Sequence, residues 1–189
     1  MKITKLSIDG AWSAHSELHE DERGFTKEWF KFSQNLKQTG LHFNVAQSIY
    51  SKSKKGVIRG IHYSLNPNSQ WKWISCVNGS IFTVLVDVRL NSPTFGQHES
   101  IILSESNGMG VLIQASLGHS FQSLSDNSII VYNMSTEYEP KFEHRINPLD
   151  SFIGIDWPLD NPILSEKDSK GDSLKVKIEK RELPIYKLL

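Results

Sequence analysis

From Phe43 onward the chain repeats one pattern, short runs of alternating apolar and polar residues broken by turn residues every ~8–12 positions. These runs predict strands at Val45–Tyr50, Val57–Tyr63, Trp71–Val77, Ser80–Arg89, His98–Leu103, Gly110–Ile113, His119–Leu124 and Ser128–Met134. Short strands at that spacing predict an all-β sandwich, jelly roll or barrel. Asn78-Gly79 stands between two of the runs and predicts a hairpin, since a type I′ turn needs positive φ at both central residues. Upstream, Met1–Leu6 alternates as an edge strand would, His15–Gly24 reads as polar turn, and Phe32–Gln38, stopped by Gly40, is the one helix predicted. Beyond Trp157-Pro158 the chain is polar and broken by Pro158, Pro162 and Pro184, which predicts loops and short helical turns wrapped around the barrel. No repeat, low-complexity segment or linker interrupts it, so a single domain over residues 1–189 is expected.

Composition narrows the function classes. Lys plus Arg and Asp plus Glu are 21 each, so the net charge is zero. That argues against nucleic acid as a partner, which requires a basic excess to neutralise phosphates. Cys76 is the single cysteine and has no intrachain disulfide partner. With no apolar leader and no long apolar run, the expectation is a cytoplasmic protein without a membrane partner.

The candidate chemistry lies on the predicted strands. Lys55–Tyr63 holds Arg59 and His62 with Gly56 and Gly60 in an otherwise buried run, and strict alternation puts Arg59 and His62 on opposite faces. A lone histidine in such a strand is ordinarily structural. Asp87 and Arg89 share a face at a strand end, where charges ordinarily pair with each other. Lys72 stands between Trp71 and Trp73; either it snorkels to the surface or, aimed into a cavity, it supplies positive charge for an oxyanion. Closing the strands into a barrel is able to bring His62, Lys72, His119 and Tyr132 into one interior.

Several chemistries are excluded. A cupin metal site needs two histidines one residue apart, and here Ser64 follows His62 two places on. No Gly-rich phosphate loop, dinucleotide fingerprint or serine nucleophile elbow is present. Metal-free general acid–base chemistry remains, for which His and Tyr are suitable partners.

Ordered blocks then carry a resemblance. They are Asp21-Glu22-Arg23-Gly24 with Glu28, Val45-Ala46-Gln47, Gly56–Tyr63, Val86–Arg89 followed by Ser92–Gly96, and Leu117–Phe121. Tyr132, Tyr138-Glu139-Pro140, Glu143–Ile146, Gly154–Pro158 and Leu164–Asp168 follow. From about residue 15 to about residue 168 the chain resembles the dTDP-4-dehydrorhamnose 3,5-epimerase family. The resemblance implies a cupin-like double-stranded β-helix (jelly roll) with a few short peripheral helices. It also implies a homodimer exchanging N-terminal strands, without cofactor or metal, acting on a dTDP-linked 4-keto-6-deoxyhexose.

By the same resemblance His62 is the base removing a proton from C3 or C5, oriented by Asp168. Lys72 stabilises the enolate at O4, and Tyr132 returns a proton on the opposite face. His119 and Arg59 hold diphosphate or sugar, and Arg23, Glu28, Gln47, Glu143 and Lys167 bind nucleotide or phosphate, some across a dimer. Taken alone, Arg23 with Glu28 reads as a surface pair, and Glu143 and Lys167 as solvated loop charges. A ketoisomerase or a silent sugar-nucleotide-binding jelly roll are the alternatives. The chain departs from the family pattern at Gln47-Ser48-Ile49, where Gln-x-Asn is usual, at Phe25-Thr26 and at Gln114–Phe121. The Leu117-Gly118-His119 variant and the Glu143–Asp150 run look closer to epimerases of unusual deoxysugar pathways, which leaves open whether C3, C5 or both are inverted.

Overall fold

The computed structural model describes residues 1–31, 39–41, 43–65 and 70–187. Its strands are β1 (Lys2–Lys5), β2 (Ala11–His15), β3 (Leu18–Asp21), β4 (Gly24–Lys27), β5 (Gln47–Ser53), β6 (Ile58–Ser64) and β7 (Trp71–Asn78). They continue with β8 (Ser80–Val86), β9 (His98–Ser104), β10 (Met109–Gln114), β11 (Gly118–Ser123), β12 (Ser128–Met134) and β13 (Glu143–Arg145). Two short helices follow, α1 (Glu166–Ser169) and α2 (Leu174–Glu179). A six-stranded sheet in the order β1-β2-β10-β7-β12-β5 faces a five-stranded sheet in the order β13-β6-β11-β8-β9, and β3 pairs only with β4. The named strand pairings are all antiparallel, and the two-sheet arrangement is the expected jelly roll.

Alternation sorts the side chains into three apolar layers. Between the sheets lie Ile74 and Cys76 of β7, Ile81 and Leu85 of β8, Val111 and Ile113 of β10, Phe121 of β11 and Ile130 of β12. Outside the six-stranded sheet, Trp71 and Trp73 pack with Trp12, Phe43 and Leu112. Outside the five-stranded sheet, Ile61, Tyr63, Val84 and Val86 are covered by Ile146, Ile153, Leu174 and Leu183 of the C-terminal segment. That segment is therefore bound to the back of β6 by apolar burial, and this is what brings α1 to the site.

The strand expectations hold to within three residues at most ends, but the hairpin does not. β7 and β8 flank Gly79 and belong to different sheets. Gly79 has φ +74° while Asn78 is not among the positive-φ residues, so no type I′ turn forms and the chain turns a corner from one sheet to the other. A Cβ on Gly79 would meet Ser125 and Ser128 side chains. Four further strands, β2, β3, β4 and β13, fall where none was expected. β3 is exposed at three of its four residues and β13 has three half-buried ones, so neither carries a two-residue burial period. The helix expected over Phe32–Gln38 lies outside the described residues.

The Asp87–Arg89 pair is structural, as its sequence position implied. Asp87 accepts from Arg89 Nε (2.9 Å) and Nη2 (2.8 Å), and from the hydroxyls of Ser92 (2.5 Å) and Thr94 (2.6 Å). Both side chains are fully buried just past the end of β8, which stops at Val86 rather than at the expected Arg89. Burial alone would raise the Asp87 pKa; the donors outweigh it and hold the carboxyl below its usual range. The stability this supplies is full above the usual carboxylate range and is lost as pH falls through the depressed value. Asp87→Ala strands a buried guanidinium and is expected to cost about 3–5 kcal/mol in urea unfolding; a loss below about 1 kcal/mol would show the pair to be dispensable.

Candidate active site

A cavity of about 210 Å³ opens at one end of the space between the sheets, lined by Ile49 and Ser51 of β5, Arg59 and His62 of β6, Lys72 of β7, His119 of β11, Tyr132 and Met134 of β12, Tyr138, and Glu143 of β13. Strand parity accounts for most of these positions. Lys72 alternates with Ile74 and Cys76 toward the interior, away from its flanking tryptophans, and Tyr132 alternates with Ile130. The snorkelling alternative for Lys72 is thereby removed.

Arg59 and His62 corrects the alternation rule. Along β11 they face Phe121 and His119, so three steps on β6 match two on β11. The extra residue is a bulge that resets the side-chain phase, and both groups line the same cavity instead of opposite faces. Gly60 makes this possible. It has φ +124°, and a Cβ there would lie 2.6 Å from the His119 carbonyl oxygen and from Ser120 Oγ. Arg59 is steadied by donating from Nε to Ser53 Oγ (3.1 Å) and from Nη2 to the Lys52 carbonyl (3.3 Å).

Two carboxylate contacts shape the cavity. His62 Nε2 is 2.8 Å from Asp168 Oδ1, joining residues 106 apart in sequence. Asp168 sits on α1, whose first turn is capped by Ser165 accepting from the Asp168 amide. Arg145 Nη1 lies 4.0 Å from the same carboxylate oxygen. Burial alone would raise the Asp168 pKa; the hydrogen bond and charge of His62, with Ser165 and Arg145, outweigh it and keep the carboxyl below its usual range. Across the cavity, Lys72 Nζ is 3.7 Å from Glu143 Oε2, both side chains only about one-seventh exposed. Burial lowers the Lys72 pKa, and the Glu143 carboxylate opposes that fall. Glu143 is thus no solvated loop charge.

His119 and Tyr132 meet edge to face, with centroids 6.0 Å apart. Burial, helped by the charges of Lys72 and His62, pushes the His119 pKa down to about 3, so its imidazole is neutral at neutral pH. Its Nε2 is buried without a hydrogen-bond partner. Burial raises the Tyr132 pKa despite Ser51 and Arg59, so its phenol holds its proton. The site therefore offers a carboxylate-oriented imidazole, a partnered cation and a protonated phenol on one small space. Such a set suits proton removal beside a carbonyl followed by reprotonation.

Comparison with known proteins identifies the family. A family model described as dTDP-4-dehydrorhamnose 3,5-epimerase matches residues 5–176. The chain belongs to the dTDP-4-dehydrorhamnose 3,5-epimerase family. It is an enzyme of the epimerase type, and the family match reaches further toward both ends than the sequence blocks. A dTDP-4-dehydro-6-deoxyglucose 3-epimerase from a Streptomyces species is 41% identical over 182 residues, covering 96% of this chain and 93% of that protein. Among solved structures, a 4-keto-6-deoxy sugar epimerase from the novobiocin biosynthetic gene cluster of Streptomyces spheroides superposes with TM-score 0.95 at 35% identity, covering 98% and 94% of the two chains. A 3′-monoepimerase from Streptomyces bikiniensis in complex with dTDP-quinovose superposes with TM-score 0.92 at 41% identity, covering 96% and 92%.

Against this family the expected site residues divide into two groups. His62, Asp168, Lys72, Tyr132, Arg59, His119 and Glu143 converge on the cavity or its wall. Gln47 stands one step outside, where its Oε1 accepts from the Tyr138 amide at 2.7 Å and holds the cavity rim. Lys167 is exposed on α1. Arg23 and Glu28 do not line the cavity of their own chain: Arg23 pairs with Asp21 on the β3–β4 hairpin and Glu28 with Lys31, rather than with each other. Ile49, Ser51, Met134 and Tyr138 were missed as lining. The parity of β5, read from Gln47, points at Ile49 and Ser51, and Tyr138 stands within one of the family blocks.

Among the described residues no three His, Cys, Asp or Glu side chains gather as metal ligands would. No helix among them is long and apolar enough to cross a membrane.

Proposed function

We propose that the protein epimerises a dTDP-linked 4-keto-6-deoxyhexose at C3, C5 or both, in deoxysugar biosynthesis, without a metal. The observation that carries this reading is the His62–Asp168 contact of 2.8 Å opening on the same cavity as the Lys72–Glu143 pair and Tyr132. His62, with Nε2 held by Asp168, takes the proton from the carbon beside the C4 carbonyl. The electron pair moves onto O4, where the Lys72 cation, its side chain only about one-seventh exposed, meets the developing enolate charge. Tyr132 then delivers its proton to the opposite face of that carbon, which inverts the centre. A neutral His119 cannot counter phosphate charge; its free Nε2 contacts a sugar oxygen instead. Arg59, already fixed by Ser53 and Lys52, offers its guanidinium to the diphosphate.

Gln47, through Tyr138, and Lys167 serve the nucleotide side at the cavity rim. Arg23 and Glu28, carried by a segment that includes the separate β3–β4 hairpin, complete the cavity of a second copy in a homodimer with exchanged N-terminal strands. The relatives named for dTDP sugars support this substrate class.

Incubation with dTDP-4-keto-6-deoxyglucose in D2O tests the reading. Deuterium at C3 or C5 with inversion is expected. No exchange at either carbon overturns it, and migration of the carbonyl to C3 would instead make the protein a ketoisomerase. Because Lys72 takes the role a Lewis acid would otherwise have, dialysis against EDTA is expected to leave the exchange rate unchanged. A loss restored by one divalent metal would overturn the metal-free part.

A further inference from the structure

Two side-chain polar atoms that are buried without a hydrogen-bond partner belong to residues lining the active cavity. One is His119 Nε2, already assigned. The other is Ser51 Oγ, on the edge strand β5, which the acid–base chemistry has not used. An unpartnered buried hydroxyl is costly and rare, so its persistence at a reaction site asks what partner it is waiting for.

Register supplies the neighbour. Along the β5–β12 pair Ser51 faces Ile130 and Ile49 faces Tyr132, which makes Ser51 the diagonal neighbour of Tyr132 on the cavity wall. The hydroxyl is close enough to favour the phenolate form of Tyr132, as is the Arg59 charge, while burial opposes that form. Yet Oγ makes no well-aligned hydrogen bond in the resting site. A contact that is poorly aligned at rest and strengthens as charge appears lowers a barrier rather than merely binding.

We infer that Ser51 is a positioning residue for Tyr132, turning its hydroxyl onto the phenol oxygen as that oxygen loses its proton to the substrate carbon. This rests on the proposed epimerase reading. In the step, the Tyr132 O–H bond breaks and its electron pair stays on oxygen. The proton joins the enolate carbon, and O4 returns to a carbonyl. The phenolate accepts from Ser51 Oγ until water returns a proton to it. Removal of the substrate proton by His62 precedes all of this and does not involve Ser51.

The test measures deuterium incorporation and inverted product separately for Ser51→Ala and Ser51→Thr. In Ser51→Ala, inversion is expected to fall about 10- to 100-fold, the range of a hydrogen bond to a charged group. Exchange should fall less than threefold, because His62 still removes a proton and returns deuterium to the same face. Ser51→Thr keeps a hydroxyl and should restore inversion to within threefold of the wild type. The melting temperature of Ser51→Ala should not drop, since an unpartnered hydroxyl is being removed. Equal loss of exchange and inversion, a raised KM at unchanged kcat, or full inversion in Ser51→Ala overturns the inference. Wild-type protein that neither exchanges nor inverts overturns the epimerase reading itself, and the role of Ser51 with it. Wild-type activity matched by Ser51→Ala overturns the role of Ser51 alone.

Discussion

His62→Ala is expected to leave no measurable deuterium exchange, a loss of about 10²–10⁴-fold, the usual contribution of a positioned base. Nothing else in the cavity replaces it. His119 is neutral but buried beside Tyr132, and burial together with the Lys72 charge, both still present in the variant, opposes its taking up a proton. Glu143 is committed to Lys72 at 3.7 Å. The fold should survive, because the His62 side chain is 41% exposed and lies outside the apolar layers. What the variant does lose is the donor to Asp168, a buried carboxylate left with Ser165 and with Arg145 at 4.0 Å. A stability loss of about 1–3 kcal/mol is expected from that, visible as a lower urea midpoint with native circular dichroism. Exchange at wild-type rate in a folded His62→Ala protein would remove His62 from the mechanism.

Lys72→Met carries the second large effect, a fall in kcat of about 10²–10³-fold, the range found when one donor to a developing oxyanion is removed. Met keeps the length of the side chain beside Ile74 and Cys76, so packing is not what changes. Charge changes twice, because Glu143 now faces the enolate with no cation between them. Like charges in a buried site repel, so Lys72→Met alone should be worse than Lys72→Met with Glu143→Gln. Measuring kcat for the two single variants and the double variant should show clear non-additivity. If Lys72→Met inverts substrate at the wild-type kcat, the enolate is stabilised elsewhere and the role given to Lys72 fails.

The two predictions draw on different kinds of information. That Lys72 points inward follows from parity along Trp71–Asn78, and so does the placement of Tyr132 in Ser128–Met134, the strand whose two ends match the expected ones. The buried Asp87–Arg89 pair was likewise legible, since two charges two residues apart at an apolar strand end have few partners but each other. The roles of His62, Asp168 and Tyr132 came from ordered family blocks, not from alternation, which left His62 as an ordinary structural histidine.

Alternation along the chain determined by itself that this is an all-β protein, where most strands run, and which side chains on β7 and β12 share a face. It does so because the two-residue period is a property of one strand. Tertiary structure alone decided that β7 and β8 part into different sheets at Gly79, and that a bulge opposite His119–Phe121 brings Arg59 round to the side of His62. It also decided that Glu143 reaches Lys72 and that Asp168 crosses 106 residues to His62. Pairing, register and bulges belong to two strands at once, and the position of α1 depends on apolar burial against the back of β6. Neither is encoded in any one stretch of sequence.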